Sequence, residues 1–265
     1  MLRTHLALLL VVVPGLAAAH DTWLQTNAPL IRVGDAIYVE LMLGNHGNDH
    51  RDFKLASKVD PTGSSLAVIA PSGRRYDMMD SVVDLGYAPK EGFHVAKFAG
   101  AEPGLYTVAH ASDRVVNHGQ PVRSLKSAKT FFVASASLDK PNPHNPGFDK
   151  PLGHPLEIIP EANPVLPMGP GQAIRVRVFL KGEPLADARV SFVPRGETLT
   201  EDFDERYERK TDAKGGTSFT PTTGNYYLVV VHHVAPGEKG PDYVETHYSA
   251  TLTVLVPEVC PCCGE

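Results

Sequence analysis

Twelve histidines in 265 residues, with all three cysteines held back to the last six positions, make imidazole the main metal-ligating group of this chain. Imidazole nitrogen suits Cu, Ni, Co and Zn. His20 stands apart from the other histidines because of what precedes it. Arg3 is followed by the apolar run Leu6 to Val13, then Pro14-Gly15, then Ala17-Ala18-Ala19. A charged start, an apolar core and an A-x-A end are the parts of a secretory signal peptide. Cleavage after Ala19 makes His20 the first residue of the mature chain. Its freed α-amine and its Nδ1 then chelate one ion together. An α-amine titrates at about 7.7–8.0, so a divalent ion displaces its proton at neutral pH. The plainer alternative is that His20 is only the residue the peptidase leaves behind.

Further nitrogen ligands must come from elsewhere in the chain, and strand ends supply them. Leu105 to His110 alternates, with Tyr106, Val108 and His110 on one face. Tyr226 to His233 ends in two histidines whose rings point to opposite faces, so only one joins a given site, and His232 is the candidate. His247 lies near the start of the last strand, Val244 to Val256. His20, His110, His232 and His247 form the first expected site, which needs three or four nitrogens at about 2.0–2.1 Å. A second group lies in Gly44 to Asp52, a glycine- and asparagine-rich loop holding His46, Asp49 and His50, with His118 as a further candidate. It is either a separate site or a side wall of the first; the alternative is a solvated loop. Cys260-Pro261-Cys262-Cys263 offers thiolates for Cu(I) or Zn, or one disulfide and a free thiol. No catalytic residue is expected, because G-x-S-x-G, the P-loop, H-E-x-x-H and the dinucleotide fingerprint are all missing.

The elements that hold these histidines read as strands throughout. Gly and Pro number 23 each, turn signals recur about every ten residues, and Val and Thr fill the runs between them. The expected fold is all-β: two immunoglobulin-like or carboxypeptidase-regulatory-like β-sandwich domains joined by a Pro-rich segment. Gly104-Leu105-Tyr106-Thr107-Val108 echoes Gly224-Asn225-Tyr226-Tyr227-Leu228, each running on to histidine. The expected boundaries are a signal peptide at 1–19, sandwiches at 20–136 and 172–257, a Pro-rich linker at 137–171 and a Cys-rich tail at 258–265. A single larger β-domain is the alternative. Glu201 to Lys210 reads as an exposed, charged excursion. Trp23 is expected to pack just inside the mature terminus and fix where His20 sits. With net charge −5 and no Lys/Arg cluster, no nucleic-acid partner is expected. After the signal no apolar run reaches membrane-spanning length, so no span is expected either.

Five blocks carry a resemblance to a known group. They are His20-Asp21-Thr22-Trp23-Leu24; Leu156 to Pro164; Gly182 to Val190 with Thr211 to Gly215; Gly224 to His233; and Tyr248 to Leu252. Over nearly all of the mature chain, the sequence resembles a bacterial periplasmic family of unknown function associated with nickel/cobalt uptake systems. The Cys260 to Cys263 tail is an addition to that pattern. The resemblance implies an all-β, periplasmic or secreted protein that handles a transition metal ion (Ni, Co, Cu or Zn) in uptake or buffering, with a membrane metal transporter as partner. One alternative is a metal-free structural or adhesive sandwich module. The other is a copper-dependent oxidase, since at His20 alone the chain is similar to oxidative polysaccharide monooxygenases.

Overall fold

The computed structural model describes residues 20–46, 51–89, 91–117, 119–200 and 203–258. The expected signal peptide, Asp49, His50, His118 and the cysteine tail lie outside these residues. The strands in chain order are β1 (His20–Thr26), β2 (Leu30–Arg32), β3 (Ala36–His46), β4 (Arg51–Ser57), β5 (Ser64–Ile69) and β6 (Arg75–Asp77). There follow β7 (Val83–Asp84), β8 (His94–Ala99), β9 (Gly104–Asn117), β10 (Pro121–Ser135), β11 (Leu156–Pro160) and β12 (Ile174–Leu180). The last six are β13 (Glu183–Pro184), β14 (Arg189–Pro194), β15 (Glu208–Lys210), β16 (Gly216–Phe219), β17 (Asn225–Ala235) and β18 (Thr246–Val256). The all-β sandwich expected from the sequence is the fold observed. No helix among the described residues is long and apolar enough to cross a membrane.

Three sheets stack in layers. The first has the order β1-β3-β8-β7, with β4 also on β3. The middle sheet runs β15-β14-β17-β18-β10-β9-β5-β6, with β2 on the far end of β10. The third comprises β11-β12-β13, with β16 also on β12. The middle sheet draws on both halves of the sequence. Its seam is a parallel pairing of β10 with β18, Arg123 to Lys129 against Thr246 to Leu252.

Alternation along the middle strands explains the layering. Leu228 and Val230 of β17 pack with Trp23 of β1 and Met42 of β3. Tyr227, Val229 and Val231 pack instead with Ile158 of β11 and Val176 and Val178 of β12. A strand buried on both faces reads as a continuous apolar run, which is how Tyr226 to Val231 reads. Nearer the N-terminal end, Leu24, Val39, Leu41, Val108, Ala128 and Phe132 form the core between the first and middle sheets. The Pro-rich stretch supplies β11, and also Val165, Leu166 and Met168, to the core under the third sheet. Pro160 fits there because β11 is an edge strand and ends at that residue.

Glu201 to Lys210 differs from its sequence reading. Asp204 and Glu208 are buried. Asp204 accepts from the N–H of Thr200 at 3.1 Å and pairs with Arg206 at 2.8 Å. Glu208 accepts from the Ser191 hydroxyl at 2.6 Å and the Asp204 N–H at 2.7 Å. Charged residues go inside here because each carboxylate finds donors.

Candidate functional site

The head of β1 is where the expected ligands come closest. β1 is an edge strand, and among the described residues its ladder is with β3, His20 lying opposite Asn45. Its first three residues are each tied to the middle sheet by a polar contact. The Lys126 ammonium of β10 donates to the His20 carbonyl. His232 Nε2 of β17 stands 3.0 Å from both oxygens of the Asp21 carboxylate, which is fully buried. The Thr251 hydroxyl of β18 donates to the Thr22 carbonyl at 2.8 Å. Trp23, next along, is buried against β14 and β17. Apolar packing and three polar ties therefore fix the direction in which His20 leaves the sheet.

The anchors share one face because of register. Ser112, Lys126, Ser249 and His232 are cross-strand partners along β9, β10, β18 and β17. One step along the same face, Ser124 pairs with His247. His20 and His247 consequently line one small cavity of about 150 Å³, together with Thr22, Ser112, Arg114 and Lys126. His247 Nε2 also meets Glu245 Oε1 at 2.7 Å. Arg114 pairs with Asp60 at 2.7 Å on the rim of the cavity. Loss of water around the half-buried Lys126 pulls its pKa below the lysine range, and the nearby Asp21 charge opposes that fall.

The other expected ligands are placed differently. His110 is fully buried, with Nδ1 2.8 Å from the Ser65 carbonyl, while Nε2 has no hydrogen-bond partner among the described residues. Burial lowers its pKa to about 4, and the hydrogen bond to Ser65 only partly resists this. His110 does not line the cavity, and His232 reaches the site through Asp21 rather than directly. The backbone of His46, at the end of β3, lies one residue past the partner of His20, so part of the second expected group reaches the same end of the first sheet. Among the described residues no group of three or more His, Cys, Asp or Glu could hold an ion. Among the described residues, two imidazoles and a lysine line the cavity.

Two residues that build this site, Asp21 and Lys126, are not among the ligands expected from the sequence. Asp21 sits next to the key histidine, but nothing local marks it as buried. Lys126 lies in Leu125-Lys126-Ser127-Ala128, just ahead of Lys129, where the apolar pattern of the strand becomes plain. Period-two alternation carried back to Pro121 puts Lys126 on the same face as Ala128.

The arrangement defines a class: an all-β sandwich whose first described strand begins with a histidine pinned to a central sheet by buried charge. The chain belongs to the family DUF4198, a domain of unknown function, which matches residues 17–235. No curated protein matches it. Among solved structures it is similar to trypsin-activated α2-macroglobulin of Escherichia coli, at 12% identity and TM-score 0.26, covering 92% of this chain and 16% of that one. It is also similar to a DUF4785 family protein of Legionella pneumophila, at 10% identity and TM-score 0.28, covering 78% of this chain and 50% of that one. A third is the Yersinia pseudotuberculosis adhesin InvE, at 12% identity and TM-score 0.23, covering 89% and 58%. The chain spans less than two thirds of the length of each.

Proposed function

We propose that this is an exported transition-metal-binding protein, acting in uptake or buffering of Ni, Co, Cu or Zn, with its site at the head of β1. The observation that carries the reading is that His20 and His247, from opposite ends of the sequence, line one cavity. The residues suit the ion in part. Two imidazoles are borderline ligands for these metals, and an α-amine freed at His20 adds a third nitrogen on the same residue. Asp21, His232 and Thr251 hold the strand so that this nitrogen set starts out ordered. Buried polar groups of this kind are costly unless satisfied, and here they are concentrated where a ligand must be positioned. A membrane metal transporter is the partner this role implies.

One observation favours a second reading, a metal-free structural module. The Lys126 ammonium stands at the His20 carbonyl, and its positive charge opposes a cation in the same small cavity.

Equilibrium dialysis of the mature protein against Cu, Ni, Co and Zn separates the two. Mass spectrometry of the exported product first establishes whether the chain begins at His20. The metal reading expects about one ion per chain, lost on His20→Ala and on acetylation of the α-amine. Binding that ignores both changes, or no binding at micromolar metal, overturns it in favour of the structural module.

A further inference from the structure

A larger cavity than the one beside His20 lies on the opposite face of the middle sheet. It is an open cleft of about 960 Å³ between the start of β10, β11 with the loop before it, β12, and the β17–β18 connection. That volume is at the upper end of the ~300–1,000 Å³ usual for small-ligand sites. Leu125, Ile159 and Phe179 give it an apolar strip, and the rings of Pro151, Pro155 and Pro160 form a wall. The wall is held rigidly. The buried Glu157 carboxylate takes the Lys129 ammonium and also the N–H groups of Leu152 at 2.6 Å, Gly153 at 3.0 Å and His154 at 3.2 Å. A proline-rich loop with few N–H groups of its own is thus fixed in place before any ligand arrives.

Charge around the cleft is dense and, the exposed Asp149 apart, paired. Lys181 meets Glu238 at 2.6 Å, and Glu238 also accepts from the Tyr248 hydroxyl. Arg177 is paired with Glu161. Arg123 holds Asp113 with two bonds of 2.8 and 2.5 Å. A cationic ligand finds a single exposed carboxylate, Asp149, and an anionic one would have to break one of these pairs. A neutral hydroxyl-rich ligand need not, since each hydroxyl donates to a carboxylate and accepts from a guanidinium or ammonium that has capacity to spare. Arg177 Nε and His154 Nδ1 are buried with no hydrogen-bond partner among the described residues, and both residues line the cleft. They are polar atoms for which the folded chain itself supplies no contact.

We infer that this cleft is a binding site for a neutral oligosaccharide, its C–H faces on the Phe179 and Leu125 strip and its hydroxyls on the Arg177–Glu161 and Lys181–Glu238 pairs. The inference is independent of the metal reading, because the two cavities share no residue.

Isothermal titration of the mature protein with cello-, chito- and malto-hexasaccharides tests it, with polygalacturonate oligomers and a mixed peptide library as comparisons. At least one neutral hexasaccharide is expected to bind. Phe179→Ala should weaken that binding by roughly tenfold or more, and the more exposed Arg177→Gln by several-fold. His20→Ala should leave it unchanged, which keeps this outcome separate from that of the metal test. Thermal melts show whether each variant is folded, and Arg177→Gln decides the matter if Phe179→Ala is not. The inference is overturned if no neutral saccharide binds at about 10 mM, if both variants bind as the parent does, or if only charged oligomers or peptides bind.

Discussion

The Asp21 carboxylate and the His232 imidazole meet at 3.0 Å across 211 residues of sequence, and this contact fastens the edge strand β1 to the centre of the middle sheet. Asp21 is fully buried, whereas the His232 side chain is 35% exposed. Losing the carboxylate charge therefore lets His232 turn to water, while Lys126 loses its nearest counter-charge. Asp21→Asn should destabilise the mature protein by roughly 1–3 kcal/mol. For a chain of this length that lowers Tm by about 2–4 °C per kcal/mol, readable in a thermal melt. A melt within about 1 °C of the parent would show that the contact contributes little.

Much of the fold was legible because strands announce themselves through alternation and turn residues. Val244 to Val256 became β18 (Thr246–Val256), and Leu105 to His110 fell inside β9 (Gly104–Asn117). Which strands lie side by side was not legible. Arg123 and Thr246 become parallel neighbours through a pairing that no local pattern encodes, and that pairing brings His247 to His20. A count of candidate ligands picked out His20 and His247 one by one, but not their meeting. The burial of Asp21 and Glu208 was not, because a charged residue shows its partners only when the chain is folded.

The buried His110 sets a pH dependence whose sign is fixed. In the unfolded chain its pKa is near 6.5; in the folded protein burial lowers it to about 4. Between those values the unfolded state binds the proton and the folded state does not, so stability is full above pH 6.5 and falls as the pH drops toward 4. The loss for His110 is roughly 3 kcal/mol by pH 4. His154, also lowered to about 4 chiefly by burial, adds to it in the same window. Carboxylates such as Asp113, held low by Arg123, contribute only further down, below their ordinary pKa of 3.8. Urea unfolding at pH 7.5 and pH 5 should show about 2 kcal/mol of this loss for His110, and His110→Gln should flatten part of the slope. An unchanged slope in that variant would mean that other groups set the dependence.

Lys126 gives the metal reading a second handle. Its ammonium lines the same cavity as His20 and His247, where it raises the cost of bringing in a divalent ion. Lys126→Met keeps much of the side-chain length and removes the charge. If an ion binds at this cavity, its affinity at pH 7 should rise once the opposing charge is gone. Dialysis of both proteins at pH 7 measures this. Weaker binding in Lys126→Met would mean that the lysine serves the site by holding the His20 carbonyl, and that its repulsion is the lesser effect.

The Lys129–Glu157 pair should respond unequally to loss of its two partners. Both side chains are 4% exposed, so each ion depends on the other and on nearby donors. Glu157 has more support: burial pushes its pKa up, but Lys129 and the loop N–H groups outweigh that and hold it below the ordinary range. Removing Lys129 leaves a carboxylate that still accepts from Leu152, Gly153 and His154. Removing Glu157 strands three N–H groups together with an ammonium that burial already pulls below its ordinary pKa. Glu157→Leu should accordingly cost roughly 3–5 kcal/mol, against about 1–2 kcal/mol for Lys129→Met. Glu157→Gln should fall between them, because the amide oxygen keeps part of the acceptor role. Hydrogen exchange at Leu152 to His154 should speed up in Glu157→Leu and stay near the parent rate in Lys129→Met. Equal effects of the two substitutions on stability and exchange would show that the ion pair alone, and not the carboxylate's grip on the loop, holds the cleft wall.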